Sequence, residues 1–588
     1  MGLIPLVLGG LVLNIAPDAI LLGALTVLML TGVVSPSEAF AGFSNTGMLT
    51  VAALYVVTAG LRETGALDAL GARVLGRART SKSVLYRMAL PVTAMSAFLN
   101  NTPIVAMFIP IITNWCRKHQ TAPSRLLLPL SYLCILGGTC TLIGTSTNLV
   151  VNGLMTEMAA STPTLEGSLR PMGLFELSWV GVPYAIIGTL YLFFIGSRLL
   201  PDRKDMFASF SASSRDYLVN LCVGVGCRLI GKKVEEAGLR HLPGLFLIEI
   251  RRGAEVITPV PPDQTLREGD ELAFTGAVDT IVDLVKIPGL DPITSDDSAV
   301  EDRSGMLCEA VVSARAPFLG KTIRDAEFRA AYNAVVIAVH RGAERLKGKV
   351  GDIVLRSGDT LLLQTGPHFA RAQRGNPHFL LVGGVEDSRP VRSDKAIVAL
   401  LLLVLLIGLM TTGVISIVSA AFLTASLMIA TRCISIADAR QNIDWQTLIT
   451  IAAAFGLGKA LDNVGLVAMG ARLTVDIFGG FGPVAVLAGL YLFTSLCTEI
   501  ITNNAAAALI FPFAVGIGVQ MGVDPRPLVM AVTFAASASL MTPLGYQTNL
   551  MVYGPGGYHF TDYVRVGLPL NLILLAAATL LIPLVWPF

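Results

Sequence analysis

Apolar positions along the chain gather in two blocks, residues 1–200 and 394–588, separated by a polar stretch over about 203–393 that is rich in Arg, Asp, Glu and Gly. A bilayer core of roughly 30 Å takes about 20 mostly apolar residues per helix. Runs that suit this fall near 2–15, 18–33, 45–61, 86–116, 124–154 and 173–197, and again near 396–411, 414–431, 444–461, 482–520, 527–552 and 563–587. The fourth run of each block is too long for one simple span and has Asn, Thr and Pro in its middle. It predicts a re-entrant hairpin that enters and leaves on the same face. Residues 2–15 lack the basic flank and small-residue cleavage signal of a removed leader, so they read as a first span. The expected fold is a polytopic α-helical membrane protein: two repeats of five transmembrane helices plus one re-entrant hairpin each, with an inserted cytoplasmic α+β tandem domain.

Five crossings per block make the second block inverted relative to the first, and the charges agree. Residues 62–87 hold Arg62, Arg73, Arg77, Arg79, Lys82 and Arg87 against Glu63 and Asp68. Residues 117–125 hold Arg117, Lys118 and Arg125 without an acid, whereas 153–176 hold Arg170 against Glu157, Glu166 and Glu176. Lys and Arg favour the cytoplasmic side. The N-terminus is then outside, and both basic loops and residues 203–393 are inside, in a cell inner (plasma) membrane.

Composition sharpens this. Charged residues make up 14% of the chain, against about 25% in soluble proteins. The eight cysteines form no C-x-x-C pair and do not cluster with the six histidines, which argues against zinc or a disulfide framework. No shared motif joins a nucleophile to a base, so the chain does not read as an enzyme. The net charge of +2 points to no nucleic-acid partner.

The two blocks align at an offset near 400. Leu49-Thr50-Val51-Ala52-Ala53 matches Ile449-Thr450-Ile451-Ala452-Ala453, and Gly71-Ala72-Arg73 matches Gly470-Ala471-Arg472. Asn100-Asn101-Thr102 with Pro110 matches Thr502-Asn503-Asn504 with Pro512. Gly144-Thr145-Ser146-Thr147-Asn148 matches Gly545-Tyr546-Gln547-Thr548-Asn549. Non-helical backbone at membrane depth survives only inside protein or beside water. A hairpin tip and a broken helix each leave backbone groups free: helix N-termini for an anion, carbonyl and side-chain oxygens for Na⁺. Paired, repeated Asn-Thr clusters fit such a site better than helix glue, the usual role of a lone polar residue in a membrane helix. Glu499 lies four residues before Asn503 in an apolar run, where the first block has Ala97. It reads equally as a cation or gating group and as a structural acceptor for nearby donors, Thr498 included. No Arg or Lys lies in these motifs, so amides, hydroxyls and dipoles would hold the anion, with cations neutralising it.

The polar insert repeats at an offset of 89: Gly231-Lys232 with Gly320-Lys321, Arg252-Gly253-Ala254-Glu255 with Arg341-Gly342-Ala343-Glu344, and Gly269-Asp270 with Gly358-Asp359. Alternating runs at 245–250 and 335–339 predict strands, and helices are expected near 232–237 and 322–329. The division is 1–200, 205–293, 294–378 and 394–588. The two central units read either as a regulatory or dimerisation module or as a cytoplasmic scaffold.

With these residues in place, the chain resembles the divalent anion–sodium symporter family of the ion transporter superfamily. That family carries Ser-Asn-Thr at each hairpin tip and a Gly-Ser/Thr-Pro-Pro-Asn-like break. Thr498-Glu499 also looks like its second hairpin, and the insert is similar to tandem TrkA-C (RCK-C) domains, a combination found in the sulfate-transporter branch of bacteria and algae. The chain departs from the pattern at Asn100, Asn504, Ser146-Thr147 and Gln547-Thr548. The resemblance implies that Asn101 and Asn503 serve both sodium and substrate, and that Gly144 and Gly545 offer carbonyls to sodium. The candidate substrate contacts are Asn101, Thr102, Thr145, Ser146, Asn503, Asn504, Tyr546 and Gln547. The candidate sodium ligands are Asn100, Asn101, Gly144, Asn148, Thr498, Glu499, Thr502, Asn503, Gly545 and Asn549. The expectation is Na⁺-coupled symport of a small divalent anion, sulfate first and dicarboxylate next, by a homodimer with an elevator-type motion and a small regulatory ligand on the insert. The alternatives are a Na⁺/H⁺ or arsenite-type antiporter and a regulated ion channel, although the chain has no loop of the Thr-Val-Gly-Tyr-Gly filter kind.

Overall fold

The computed structural model describes residues 17–66, 78, 80–203 and 393–588, and, with short internal breaks, 218–276, 290–292 and 307–384. The span expected at 2–15 and the basic residues Arg73, Arg77 and Arg79 lie outside the described residues. In the first half the main helices are α1 (Pro17–Leu30), α2 (Thr46–Glu63), α3 (Ser81–Phe98), α4 (Asn101–Lys118), α5 (Leu127–Gly138), α6 (Ser146–Ser161) and α7 (Ser178–Tyr191). In the second they are α8 (Ala396–Thr412), α9 (Ile417–Ala430), α10 (Trp445–Asn463), α11 (Leu466–Phe478), α12 (Pro483–Thr498), α13 (Asn503–Met521), α14 (Arg526–Ser537), α15 (Gln547–Tyr553) and α16 (Phe560–Val585).

Each expected hairpin is a pair of helices interrupted at its Asn motif, α3 with α4 and α12 with α13. Each expected broken helix is a second pair, α5 with α6 and α14 with α15. These interruptions shorten the helices. Among the described residues, four are long and apolar enough to cross a bilayer: Pro36–Glu63, Ser178–Leu199, Asn503–Met521 and Phe560–Val585. The bent pair Trp445–Asn463 and Leu466–Asp476 makes up to five, fewer than ten crossings, and shorter apolar helices account for several of the rest. Large apolar side chains stay on the outside, among them Leu90 (78% exposed), Val404 (65%) and Leu584 (80%). Lipid is the solvent that suits such apolar helix faces.

The halves interleave. Helix α2 packs on α9 and α1 on α10, while α3 lies on α5, α12 on α14 and α7 on α16. One polar tie joins the halves at the start of α14. The buried Arg526 guanidinium donates to Ser168 O (3.0 Å), Arg170 O (2.9 Å) and Glu176 Oε1 (2.6 Å). Burial would raise the Glu176 carboxyl, but the guanidinium outweighs it and holds that group below its usual range. This support is present above the ordinary carboxylate range and fades as pH falls through the lowered value. Arg526→Ala takes the buried guanidinium from two carbonyls and from a half-buried carboxylate that keeps Trp586 Nε1 and Gly173 N, so a loss of about 1–3 kcal/mol is expected, read as a lower melting temperature of the purified protein.

The insert forms two five-stranded antiparallel sheets. The first holds β1 (Leu218–Val223), β2 (Leu245–Arg252), β3 (Glu255–Ile257), β4 (Glu271–Gly276) and β5 (Leu290–Pro292) in the order β3-β2-β4-β1-β5, and the second holds β6 (Leu307–Val312), β7 (Ala334–Arg341), β8 (Glu344–Arg345), β9 (Thr360–Thr365) and β10 (Phe379–Gly384) in the order β8-β7-β9-β6-β10. Their strands correspond one to one along the chain. The Arg and Asp of the repeated motifs are a structural clasp. Arg252 grips Asp270 at 2.7 and 2.8 Å and Arg341 grips Asp359 at 2.8 Å twice, each Asp also accepting a backbone N–H three residues earlier. The helices expected near 232–237 and 322–329 are turns instead, followed in the second copy by a short helix, Phe328–Tyr332. Their backbone is committed across to a neighbouring loop: Val234 N donates to Gln264 O (2.9 Å) and Ile323 N to Ile353 O (3.1 Å). The turn with Gly358 and Thr360 lies against Leu550 and Gly554, at the far end of α15.

Candidate functional site

Each hairpin tip is held by a hydroxyl five residues before its Asn. Ser96 Oγ reaches Asn101 Oδ1 and Cys134 O (2.6 Å). Thr498 Oγ1 reaches Asn503 Oδ1 (2.9 Å) and Ala536 O (3.0 Å). Each break is held by its own Asn. Asn148 Nδ2 donates to Gly138 O (3.2 Å) and Thr141 O (2.8 Å), and Asn549 Nδ2 to Ser539 O (3.0 Å) and Thr542 O (3.1 Å). A broken helix leaves carbonyls at its C-terminal end without partners, and these amides satisfy them. Asn549 Oδ1 is also engaged, accepting from Ser131 Oγ (2.7 Å). Asn549 is therefore a brace with both amide ends occupied, rather than an open ligand.

The tips and breaks then meet crosswise. Asn101 Nδ2, on the first tip, donates to Tyr546 Oη of the second break (2.6 Å), and Thr102 Oγ1 donates to Gln547 Oε1 (3.1 Å). Tyr546 Oη is also 3.3 Å from Thr145 Oγ1 of the first break. On the second tip, Asn504 Oδ1 accepts from both Ser146 Oγ and Thr147 Oγ1 (3.1 Å each). One locus thus gathers Asn101, Thr102, Thr145, Ser146, Asn504, Tyr546 and Gln547. Asn503 is tied to Thr498 beside it. Asn100 lines a cleft with Tyr55 and Thr58 of α2, Leu403 of α8 and Ser146 of this locus. Thr502 is exposed at the start of α13.

Every element at this locus presents a helix N-terminus. The first residues of α4, α6, α13 and the shorter α15 are Asn101, Ser146, Asn503 and Gln547. Elsewhere Asn45, Thr80, Ser416 and Asp444 cap helix starts with their side chains. Thr145, Thr502 and Tyr546 make no such bond, as is also true at the starts of α5, α7, α8 and α14, and what sets these three apart is that they meet at one locus. The first-turn N–H groups and the positive ends of the dipoles are left for an anion.

Close backbone approach marks the two glycines. A Cβ on Gly144 would lie 2.6 Å from Gly138 O, 2.9 Å from Ser96 O and 3.0 Å from Ala97 O. A Cβ on Gly545 would lie 1.9 Å from Ser539 Oγ and 2.6 Å from Thr498 O. Carbonyl oxygens therefore crowd toward each break beside each tip Asn, a set of hard oxygen donors of the kind that suits an alkali cation. Glu499 Oε1 accepts the N–H groups of Leu540 (2.8 Å) and Met541 (2.9 Å), not the Thr498 hydroxyl.

Sequence reasoning passed over Ser96, Ser131, Ser539 and Asn571. Ser96-Ala97 aligns with Thr498-Glu499, so the repeat could have revealed Ser96. Asn571 is a lone Asn in an otherwise uncharged apolar run, a recognisable signal in a membrane helix.

Comparison with known proteins extends this geometry. The family model described as citrate transporter, CitMHS, matches residues 6–535. A Chlamydomonas reinhardtii protein named for the response to sulfur deprivation is 37% identical over 580 residues, 96% of this chain and 97% of that one. Sodium/sulfate cotransporter 1 of the same organism is 28% identical, covering 93% of this chain and 84% of its own. The solved YdaH transporter of Alcanivorax borkumensis covers 95% of this chain and 87% of its own at TM-score 0.41 and 14% identity. The chain belongs to the CitMHS family of citrate transporters, and is a multi-pass secondary transporter rather than an enzyme.

Proposed function

We propose that this transporter carries a small divalent oxyanion, sulfate first and dicarboxylate second, coupled to Na⁺. The observation that carries the reading is the crosswise meeting of helix N-termini without side-chain caps. A sulfate dianion offers acceptor oxygens all round, and amide N–H groups, hydroxyls and dipole ends can satisfy them without Arg. Carboxylates are more often gripped by the bidentate Arg fork. The relative named as a sodium/sulfate cotransporter supports the same choice.

Sodium neutralises the anion from both sides in this reading. Asn101 Oδ1 with the Gly144 carbonyl would hold one ion, and Asn503 Oδ1 with the Gly545 carbonyl and Thr498 a second. Asn148 and Asn549 shape these sites from behind. The halves are inverted, the hairpins re-entrant, and a homodimer moves the hairpin body against a scaffold, as the resemblance implies. The insert lies in the cytoplasm and, through its contact with α15, is placed to bias that motion when a regulatory ligand binds.

The test of substrate class is competition: labelled sulfate uptake challenged with selenate, thiosulfate, succinate, malate and citrate. Tetrahedral dianions are expected to compete best, and stronger competition by citrate than by selenate would reject the assignment. Tyr546→Phe removes the hydroxyl shared by Asn101 and Thr145. One hydrogen bond of about 1.4 kcal/mol corresponds to about tenfold in affinity, so KM for the anion should rise by about that factor with little change in expression.

A further inference from the structure

We propose that Glu499 Oε2, Ser539 Oγ and Asn571 Oδ1 form a separate Na⁺ site that only the second half of the molecule carries. All three oxygens are buried and none has a hydrogen-bond partner. They come from three different elements: the second hairpin tip, the second break and helix α16. Their residues are 6%, 0% and 5% exposed.

Contacts with the Glu499 carboxylate bring the three residues to one place. Glu499 Oε1 is anchored by the N–H groups of Leu540 and Met541, which fixes the carboxylate and leaves Oε2 open. Asn571 Nδ2 is 3.4 Å from the same Oε1 and 3.3 Å from Ser495 Oγ, so the amide nitrogen is spoken for and the oxygen is left over. The Ser539 hydroxyl lies close enough to the Glu499 carboxylate to interact with it. A lone ionised carboxylate in a membrane interior is strongly unfavourable, and among the described residues no Lys or Arg forms a salt bridge with Glu499. A monovalent cation satisfies all three at once and cancels the charge, and carboxylate, hydroxyl and amide oxygens are hard ligands of the right class.

The first half shows that this cluster is an addition rather than a by-product of the repeat. Ala97 stands where Glu499 does. Gly138 stands where Ser539 does, since their carbonyls accept from the equivalent Asn148 and Asn549. Gly181 and Gly567 each back onto the start of a break, at Thr139–Cys140 and Leu540–Met541. Four residues further along those helices, Ala185 stands where Asn571 does. Three small apolar positions in one half are three oxygen donors in the other.

This inference rests on the Na⁺-coupled reading, and its test separates the two. Binding of ²²Na⁺ to the purified full-length protein is measured for the parent, E499Q, S539A, N571L and N571D. The parent should bind more Na⁺ per chain than E499Q or N571L, each losing one ion or having its half-saturation raised at least about tenfold. S539A should weaken binding several-fold, and N571D, which keeps the oxygen, should retain it. Unchanged stoichiometry and affinity in both E499Q and N571L would overturn this site while leaving Na⁺ coupling intact. If E499Q does not fold, equal binding by N571L and the parent overturns it alone. No Na⁺ binding by the parent would overturn the coupling and this site together.

Discussion

Asn101→Ala is expected to abolish Na⁺-driven uptake, to below about one-hundredth of the parent rate, while the protein still folds. The side chain is fully buried, and its amide spans from its own hairpin, where Oδ1 meets Ser96, to Tyr546 in the opposite half's break. Its Oδ1 is the proposed sodium ligand and its Nδ2 holds Tyr546 beside the anion. The fold should survive because both partners keep a second contact: Ser96 Oγ retains Cys134 O at 2.6 Å, and Tyr546 Oη retains Thr145 Oγ1 at 3.3 Å. The cost is then that of imperfectly met buried polar groups, about 1–3 kcal/mol, visible as a modest drop in melting temperature. Asn503→Ala should behave alike, since Thr498 keeps Ala536 O at 3.0 Å. Uptake is measured in proteoliposomes of matched protein content. Parent-like transport by either variant would contradict the site assignment.

Gly144→Ala carries the second largest expected effect. The three atoms nearest the new methyl group are backbone oxygens, at 2.6, 2.9 and 3.0 Å, so no side chain can swing aside. The break must shift, and the carbonyls of Ser96, Ala97 and Gly138 move with it. A displacement of about 1 Å in a positioning group commonly costs about a hundredfold in rate, and overpacking adds about 1–3 kcal/mol of destabilisation. The expected result is near-complete loss of Na⁺-dependent uptake with a raised Na⁺ requirement in whatever remains. Gly545→Ala meets a different neighbour first, the Ser539 hydroxyl at 1.9 Å, which can rotate, and only then the Thr498 carbonyl at 2.6 Å. Gly545→Ala should therefore be the milder of the pair. Equal uptake by Gly144→Ala and the parent would remove the close-approach argument.

Much of the site could be read from the sequence because the repeat repeats its chemistry. Aligning Asn101 with Asn503 and Asn148 with Asn549 selects the interrupted positions, and bilayer physics gives the reason that interruptions there are tolerated. The alignment contains no information on partner choice. That the first tip meets the second break, Asn101 with Tyr546 across 445 positions, is a tertiary fact that periodicity within either half does not encode. The repeat also could not separate a brace from a ligand. Asn148 and Asn549 share the residue type of Asn101 and Asn503, and only their donors' direction toward the break's own carbonyls distinguishes them. In the insert, the alternating runs at 245–250 and 335–339 lie within strands Leu245–Arg252 and Ala334–Arg341, since alternation reports a strand directly. The helices expected near 232 and 322 did not form. Cross-loop hydrogen bonds compete for the same N–H groups, and a short segment has too few turns for local propensity to win.

The roles of the two halves are unequal in the same way. The first supplies a compact, glycine-lined break. The second supplies Tyr546 and Gln547 to the shared locus, and Glu499, Ser539 and Asn571 behind it. Selectivity for the anion is expected to follow the second break, and the sodium requirement to follow both.

The most direct test is accumulation of ³⁵S-labelled sulfate in proteoliposomes of the purified full-length chain under an inward Na⁺ gradient. Sulfate should concentrate inside above its external level. That accumulation should collapse when Na⁺ is replaced by K⁺ or choline and vanish in Asn101→Ala. Failure to accumulate either sulfate or succinate under the Na⁺ gradient, or equal uptake with K⁺, would contradict the Na⁺-coupled anion transport proposed for this protein.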